Sequence, residues 1–177
     1  EYKPVPADLR DIINTVSSIA RGYMENRDLN FYVSREELKN PYVMADELRI
    51  REVLLNIISN AVKFTKDGGT ISFAAENGPG NDEHHMIVRY RISDTGIGMS
   101  PAFVKEELFK PFTQEKSADA RTQYKGTGLG MSIVKGLVEK MNGTIRVESE
   151  PDQGTTFVFR MPFQIDTSVS GQMGPEK

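Results

Sequence analysis

A chain of 177 residues with 38% hydrophobic and 27% charged side chains is long enough to form one compact, soluble domain with its own core. Its formal net charge of −3 gives no global reason to expect a nucleic-acid partner, so any recognition of phosphate has to be local. The lack of cysteine excludes disulfides, thiolate metal sites and cysteine nucleophiles and is compatible with a reducing compartment. No apolar run approaches the roughly 18 residues of a membrane span, and no secretory pattern opens the chain, so no direct membrane contact is expected. The chain starts at Glu1 instead of methionine, which suggests processing or excision from a longer protein.

In chain order, Leu9, Ile12, Ile13, Val16, Ile19 and Ala20 recur at helical spacing and predict an amphipathic helix over about 7–25. Two short strands, 30–33 and 42–44, flank the charged stretch "SREELKN", which could also begin a helical turn. Asp46 is placed to cap a long helix running to about 65, with Leu48, Ile50, Val53, Leu54, Ile57, Ile58, Ala61 and Val62 as its apolar content. "DGG" ends that helix and starts a strand through about 75; the turn-rich "ENGPGNDEHH" then joins it as a hairpin to a strand over 86–93. "DTGIGMSP" breaks this strand and opens a short helix over 101–108 with proline in its first turn. "FTQEKSADARTQYK" lacks apolar periodicity and is long for a connection, which suits a lid. A helix over 129–141 ends at "NG", and strands over 144–150 and 155–161 flank the turn "PDQG". "QIDTSVSGQMGPEK" has the composition of a tail or linker; the domain is expected over 1–165 and the tail over 166–177. Helices alternating with hairpins predict an α+β fold with the helices gathered on one face of a mixed sheet.

"YKGTGLGMSIVKGL" crowds Gly126, Gly128 and Gly130 at the start of a helix. Glycine costs backbone entropy unless a positive φ or close approach is needed, and a helix start offers unpaired N–H donors and the positive end of the macrodipole, so a bound phosphate is the expected partner. A turn that merely punctuates structure is the alternative for this stretch alone. The run reads GxGxG, which is neither the dinucleotide fingerprint GxGxxG nor the GxxxxGK[ST] loop. In "NIISNAVKF", Asn56, Asn60 and Lys63 fall on one helical stripe with Phe64 beside it, next to the apolar face. Amides so close to a core need partners. Asn60 can offer an oxygen to Mg²⁺, and Lys63 can reach a phosphate. Asp94 in "DTGIGM" ends a strand, where its carboxylate can accept from an exocyclic amine while Gly96 and Gly98 admit a flat ring; alone, this is also a common turn. "GTTF" alone is a turn entering a strand.

In this order, with "FKPFTQ" between the second and third, the four motifs closely resemble the nucleotide-binding boxes of sensor histidine kinases, over nearly the whole chain up to about Phe163. The stretch "ARTQYKGTGLGMSIVKGLVEKMNGTI" is most similar to hybrid kinases of two-component systems. The resemblance implies a two-layer α/β sandwich of the Bergerat type, with a mixed sheet of about five strands, three main helices on one face and a mobile ATP lid. It implies that Asp94 binds the adenine amine, supported by Thr155 through water, that Gly96 and Gly98 line the base pocket, and that Phe64 lies near the nucleotide. Asn56, Asn60 and Lys63 would serve Mg²⁺ and the phosphates, with Asn60 as metal ligand. Gly126, Thr127, Gly128, Leu129 and Gly130 would form the phosphate loop, and Arg121 and Lys125 in the lid would stabilise γ-phosphate charge.

Related ATPases use a glutamate where this chain has Asn56, and an amide cannot serve as that general base, so transfer to a protein is implied over efficient hydrolysis. The acceptor histidine would sit on a separate dimerisation domain, normally upstream, with a response regulator or receiver domain downstream and a cytoplasmic location. His84 and His85 lack the "HE[IL]R" context and read as exposed loop residues. The alternatives are a serine kinase of the anti-sigma-factor type on the same fold and a non-catalytic nucleotide-binding interaction module.

Overall fold

One-sided burial organises the chain. The computed structural model describes residues 3–110 and 130–168. Along the strands β4 (Thr70–Gly78), β5 (His85–Asp94) and β7 (Gly154–Ile165), every second side chain is buried: Ile71, Phe73 and Ala75, then Met86, Val88, Tyr90 and Ile92, then Phe157, Phe159, Met161, Phe163 and Ile165. A period of two puts each set on one face of the sheet. Helices α1 (Leu9–Tyr23), α2 (Glu47–Phe64) and α4 (Gly130–Lys140) present apolar stripes at 3.6-residue spacing and close that face into one core. The result is an α+β sandwich, as expected.

The strands run in the order β1-β3-β7-β5-β4-β2, with β6 (Thr144–Glu150) pairing β7 beside β3. The sheet is mixed: β2 (Asn30–Ser34) runs parallel to β4, and the other pairs are antiparallel. It has seven strands where about five were expected, because short segments join its edges. One of them, β1 (Val5–Asp8), pairs with β3 (Tyr42–Ala45) and takes in Ala7 and Asp8, the expected start of the first helix. Helix α1 starts only at Leu9, where the Asp8 side chain accepts from the Arg10 N–H.

Strands β2 and β3 both exist but belong to opposite ends of the sheet, and "SREELKN" between them forms a turn closed by the Leu38 N–H on the Arg35 carbonyl. Asp46 does stand at the start of α2, but without a side-chain cap; its Oδ2 instead accepts from the Lys3 N–H at 2.8 Å. Alternation carries β4 on to Gly78, three residues beyond the expected end, and β7 through Gln164 and Ile165. Helix α4 ends as "NG" suggested, with Asn142 in the left-handed region (φ 60°) and the Gly143 N–H on the Val138 carbonyl.

Candidate functional site

Asp94 is the last residue of β5, paired with Thr155 at the start of β7 and with Ile71 of β4. The alternation that buries Tyr90 and Ile92 turns its carboxyl toward the helix layer. Burial pushes its pKa up to about 6, against the opposing pull of the Gly96 and Thr155 backbone N–H groups. Gly96 N–H donates to Oδ1 at 2.8 Å. The hydroxyls of Thr155 and Ser149 are 2.8 Å apart, and Ser149 Oγ also accepts from the Met99 N–H at 2.8 Å. Ser149 thereby ties the loop after β5 to the ends of β6 and β7.

That loop is pinned on both flanks. Its Ile97 N–H donates to the Phe64 carbonyl at 3.1 Å, and its Ile97 carbonyl accepts from the Asp152 N–H at 2.7 Å. Gly96 runs so close to α2 that a Cβ would stand 2.5 Å from the Phe64 carbonyl oxygen. Gly98 combines φ +69° with a position where a Cβ would collide with the Glu150 carbonyl, so only glycine fits. Short helix α3 (Pro101–Glu106) follows, with Ser100 Oγ accepting from the Phe103 N–H and Pro101 in its first turn. A cavity of about 540 Å³ opens beside Asp94 and Thr155, walled by Pro101 and Val104 of α3 and by Val147 and Ser149 of β6.

The α2 stripe faces the start of α4. Asn60 Nδ2 lies 3.2 Å from Met131 Sδ, and Asn56 Nδ2 donates to the Glu52 carbonyl at 2.7 Å, which leaves Asn56 Oδ1 beside Gly130. Lys63 and Phe64 are half-buried in the last turn of α2. The guanidinium of Arg27 caps this end, donating to the carbonyls of Val62 at 2.9 Å and Thr65 at 2.5 Å and to Asp67 Oδ1 at 2.6 Å. The structure thus joins Asp94, Gly96, Gly98 and Thr155 into one cluster attached to α2 through Phe64, and sets Asn56 and Asn60 against Gly130 and Met131. Arg121, Lys125, Gly126, Thr127, Gly128 and Leu129, together with the proposed lid, lie outside the described residues. His84 and His85 are exposed at the β4–β5 hairpin tip, with His85 Nδ1 3.2 Å from Asp82 Oδ1.

Residues 45–165 match the family model described as histidine kinase-, DNA gyrase B- and HSP90-like ATPase. The chain belongs to this family. It is 37% identical over 158 residues to the Autoinducer 2 sensor kinase/phosphatase LuxQ of Vibrio parahaemolyticus, an alignment covering 89% of this chain and 18% of that protein. The chain therefore spans about a fifth of that relative's length. Among solved structures it is similar to the mycobacterial sensor histidine kinase MprB (TM-score 0.73, 26% identity, 92% of this chain and 100% of that one). It is also similar to full-length ShkA in complex with AMPPNP (TM-score 0.76, 29% identity, 94% of this chain and 32% of that one). This ATPase-family domain is homologous to sensor histidine kinases and has the fold of their catalytic domains.

The donor set of this ATPase domain fits a nucleotide and a hard cation. With the Asn60 amide nitrogen turned to a thioether, its oxygen is left as the ligand a hard ion prefers. Among the described residues no group of three His, Cys, Asp or Glu side chains could hold a metal by itself, so Mg²⁺ would need the phosphates as co-ligands. Sequence reasoning missed Ser149, Arg27 and Met131. Ser149 had a usable signal: it shares the helix-side face of "TIRVESE" with Ile145 and Val147, and a hydroxyl there requires a partner. Arg27 and Met131 meet α2 only through tertiary contact.

Proposed function

We propose that this domain binds Mg²⁺·ATP and donates the γ-phosphoryl group to a histidine on a separate dimerisation domain in a two-component pathway, with a response regulator or receiver domain downstream. The observation that carries this reading is the Asp94 cluster: a half-buried acceptor at a strand end, backed by the Thr155–Ser149 hydroxyl pair and bordered by a glycine loop and a cavity. AMPPNP in the related ShkA complex supports a nucleotide as the ligand. The carboxylate of Asp94 accepts the adenine amine, Thr155 supports that contact through water, and Gly96 and Gly98 leave room for the ring. Phe64 lies beside the nucleotide. Asn56, Asn60 and Lys63 orient the phosphates, and Asn60 ligates the metal. A bound Mg²⁺ supplies charge neutralisation on the phosphates. Gly126, Thr127, Gly128, Leu129 and Gly130 wrap the phosphates with backbone N–H groups, while Arg121 and Lys125 stabilise charge on the γ-phosphoryl.

The functional domain spans 1–165, its location is cytoplasmic, and neither nucleic acid nor membrane is a direct partner. Activity is tested by incubating the domain with γ-labelled ATP, Mg²⁺ and a separately produced histidine-bearing dimerisation domain. Acid-labile label on the partner's histidine is expected. Label on serine, or rapid ATP hydrolysis without any partner, would overturn the reading.

A further inference from the structure

The face of the sheet opposite the helices carries a charge pattern that the nucleotide site does not use. Register places Arg89 of β5 directly across from Arg160 of β7, and Arg91 and Arg146 on either side of Val158 one row away. Like charges directly across a ladder oppose sheet formation, so four arginines in two neighbouring rows need an explanation beyond the fold. Part of it is apolar: Ile87 and Val158 point to this face yet are only 6% and 7% exposed, and long arginine stems can cover apolar surface of this kind. The guanidinium heads remain. Among the described residues only Arg89 of the four forms an ion pair, with Glu76 at 3.2 Å, and its Nε is buried without a hydrogen-bond partner. Arg160 donates to the Pro79 carbonyl at 2.9 Å, while Arg91 and Arg146 are exposed.

Acids fence this patch. Glu76 closes the Arg89 row on β4, and Glu148 and Glu150 follow Arg146 on the same face of β6. An extended polyanion or a lipid surface laid across the sheet would meet those glutamates. A compact group of carboxylates fits between them, and the planar fork of arginine matches a carboxylate in bidentate fashion. We propose that this face docks an acidic segment of a partner protein, held by Arg91, Arg146 and Arg160. The proposal is independent of the nucleotide reading.

The test is fluorescence anisotropy of a labelled short peptide carrying three consecutive glutamates between uncharged residues, titrated with the protein at low ionic strength. Saturable binding is expected, weakened about tenfold in Arg91→Glu/Arg146→Glu and lost as salt rises. The helix-side double variant Arg21→Glu/Lys140→Glu carries the same change in charge and should bind like wild type. Circular dichroism confirms that each variant is folded, and Arg91→Gln/Arg146→Gln replaces the first if it is not. Absence of binding, equal loss in both charge-reversal variants, or tighter binding to single-stranded DNA or phosphatidylserine vesicles would overturn the proposal.

Discussion

At Asp94 the half-buried carboxyl holds its proton up to about pH 6, whereas an unfolded chain releases it near the ordinary value of 3.8. The native state therefore binds that proton more tightly, and the stability this contributes is complete below pH 3.8 and lost as pH rises through 6. Asp94→Asn removes the ionisation. The variant should be more stable than the ligand-free wild type at pH 7, by about 1–3 kcal/mol, and the difference should vanish toward pH 4 in thermal melts. Because the proposed adenine contact needs the carboxylate, nucleotide affinity of the wild type should also fall as pH drops below about 6. Gly98→Ala puts a methyl group into the Glu150 carbonyl at a positive φ; it should lower the melting temperature and weaken nucleotide binding together, since the loop must leave its seat. Asp94 and the glycines were legible because their motif is local and their chemistry unusual. Ser149 was legible only as a hydroxyl on a helix-side face that needs a partner; which partners it takes depends on the register that sets it beside Thr155 and Met99.

Among the elements, although Leu48 of its expected apolar face is exposed, α2 was legible along its length because eighteen residues of helical periodicity outweigh local ambiguity. Its ends were not. The expected Asp46 cap is replaced by a contact to Lys3, and the C-terminal cap comes from Arg27, far back in the sequence. Arg27→Ala should cost about 1–3 kcal/mol in urea unfolding, chiefly by orphaning the Val62 and Thr65 carbonyls, because its surface pair with Asp67 adds little. The same variant should weaken nucleotide binding modestly, since Lys63 and Phe64 occupy the turn that frays. Of the short strands only β1 escaped the reading, for a related reason: its four residues carry too little pattern to compete with the helix that follows, and their pairing with distant β3 decides the matter.

Across the whole molecule, one core cluster unites the three longer helices with the sheet, so the Asp94 loop and the amide stripe of α2 are held by a common scaffold. A ligand that joins them should stabilise the entire fold, raising the melting temperature with nucleotide concentration in the manner of mass action, about 2.7 kcal/mol at a hundredfold excess over Kd. The layer order was legible from alternating helices and hairpins, whereas the placement of β2 and β3 at opposite ends of the sheet was not, because nothing in a short strand names its neighbour. The measurement that bears most directly on the central claim is calorimetric titration of the domain with a non-hydrolysable ATP analogue in Mg²⁺, with Asp94→Asn run in parallel. Binding of about −8 to −4 kcal/mol in the wild type, abolished in the variant, is the predicted result. A folded wild type that takes up no heat, or a variant that binds as tightly, would contradict the assignment of the nucleotide to Asp94.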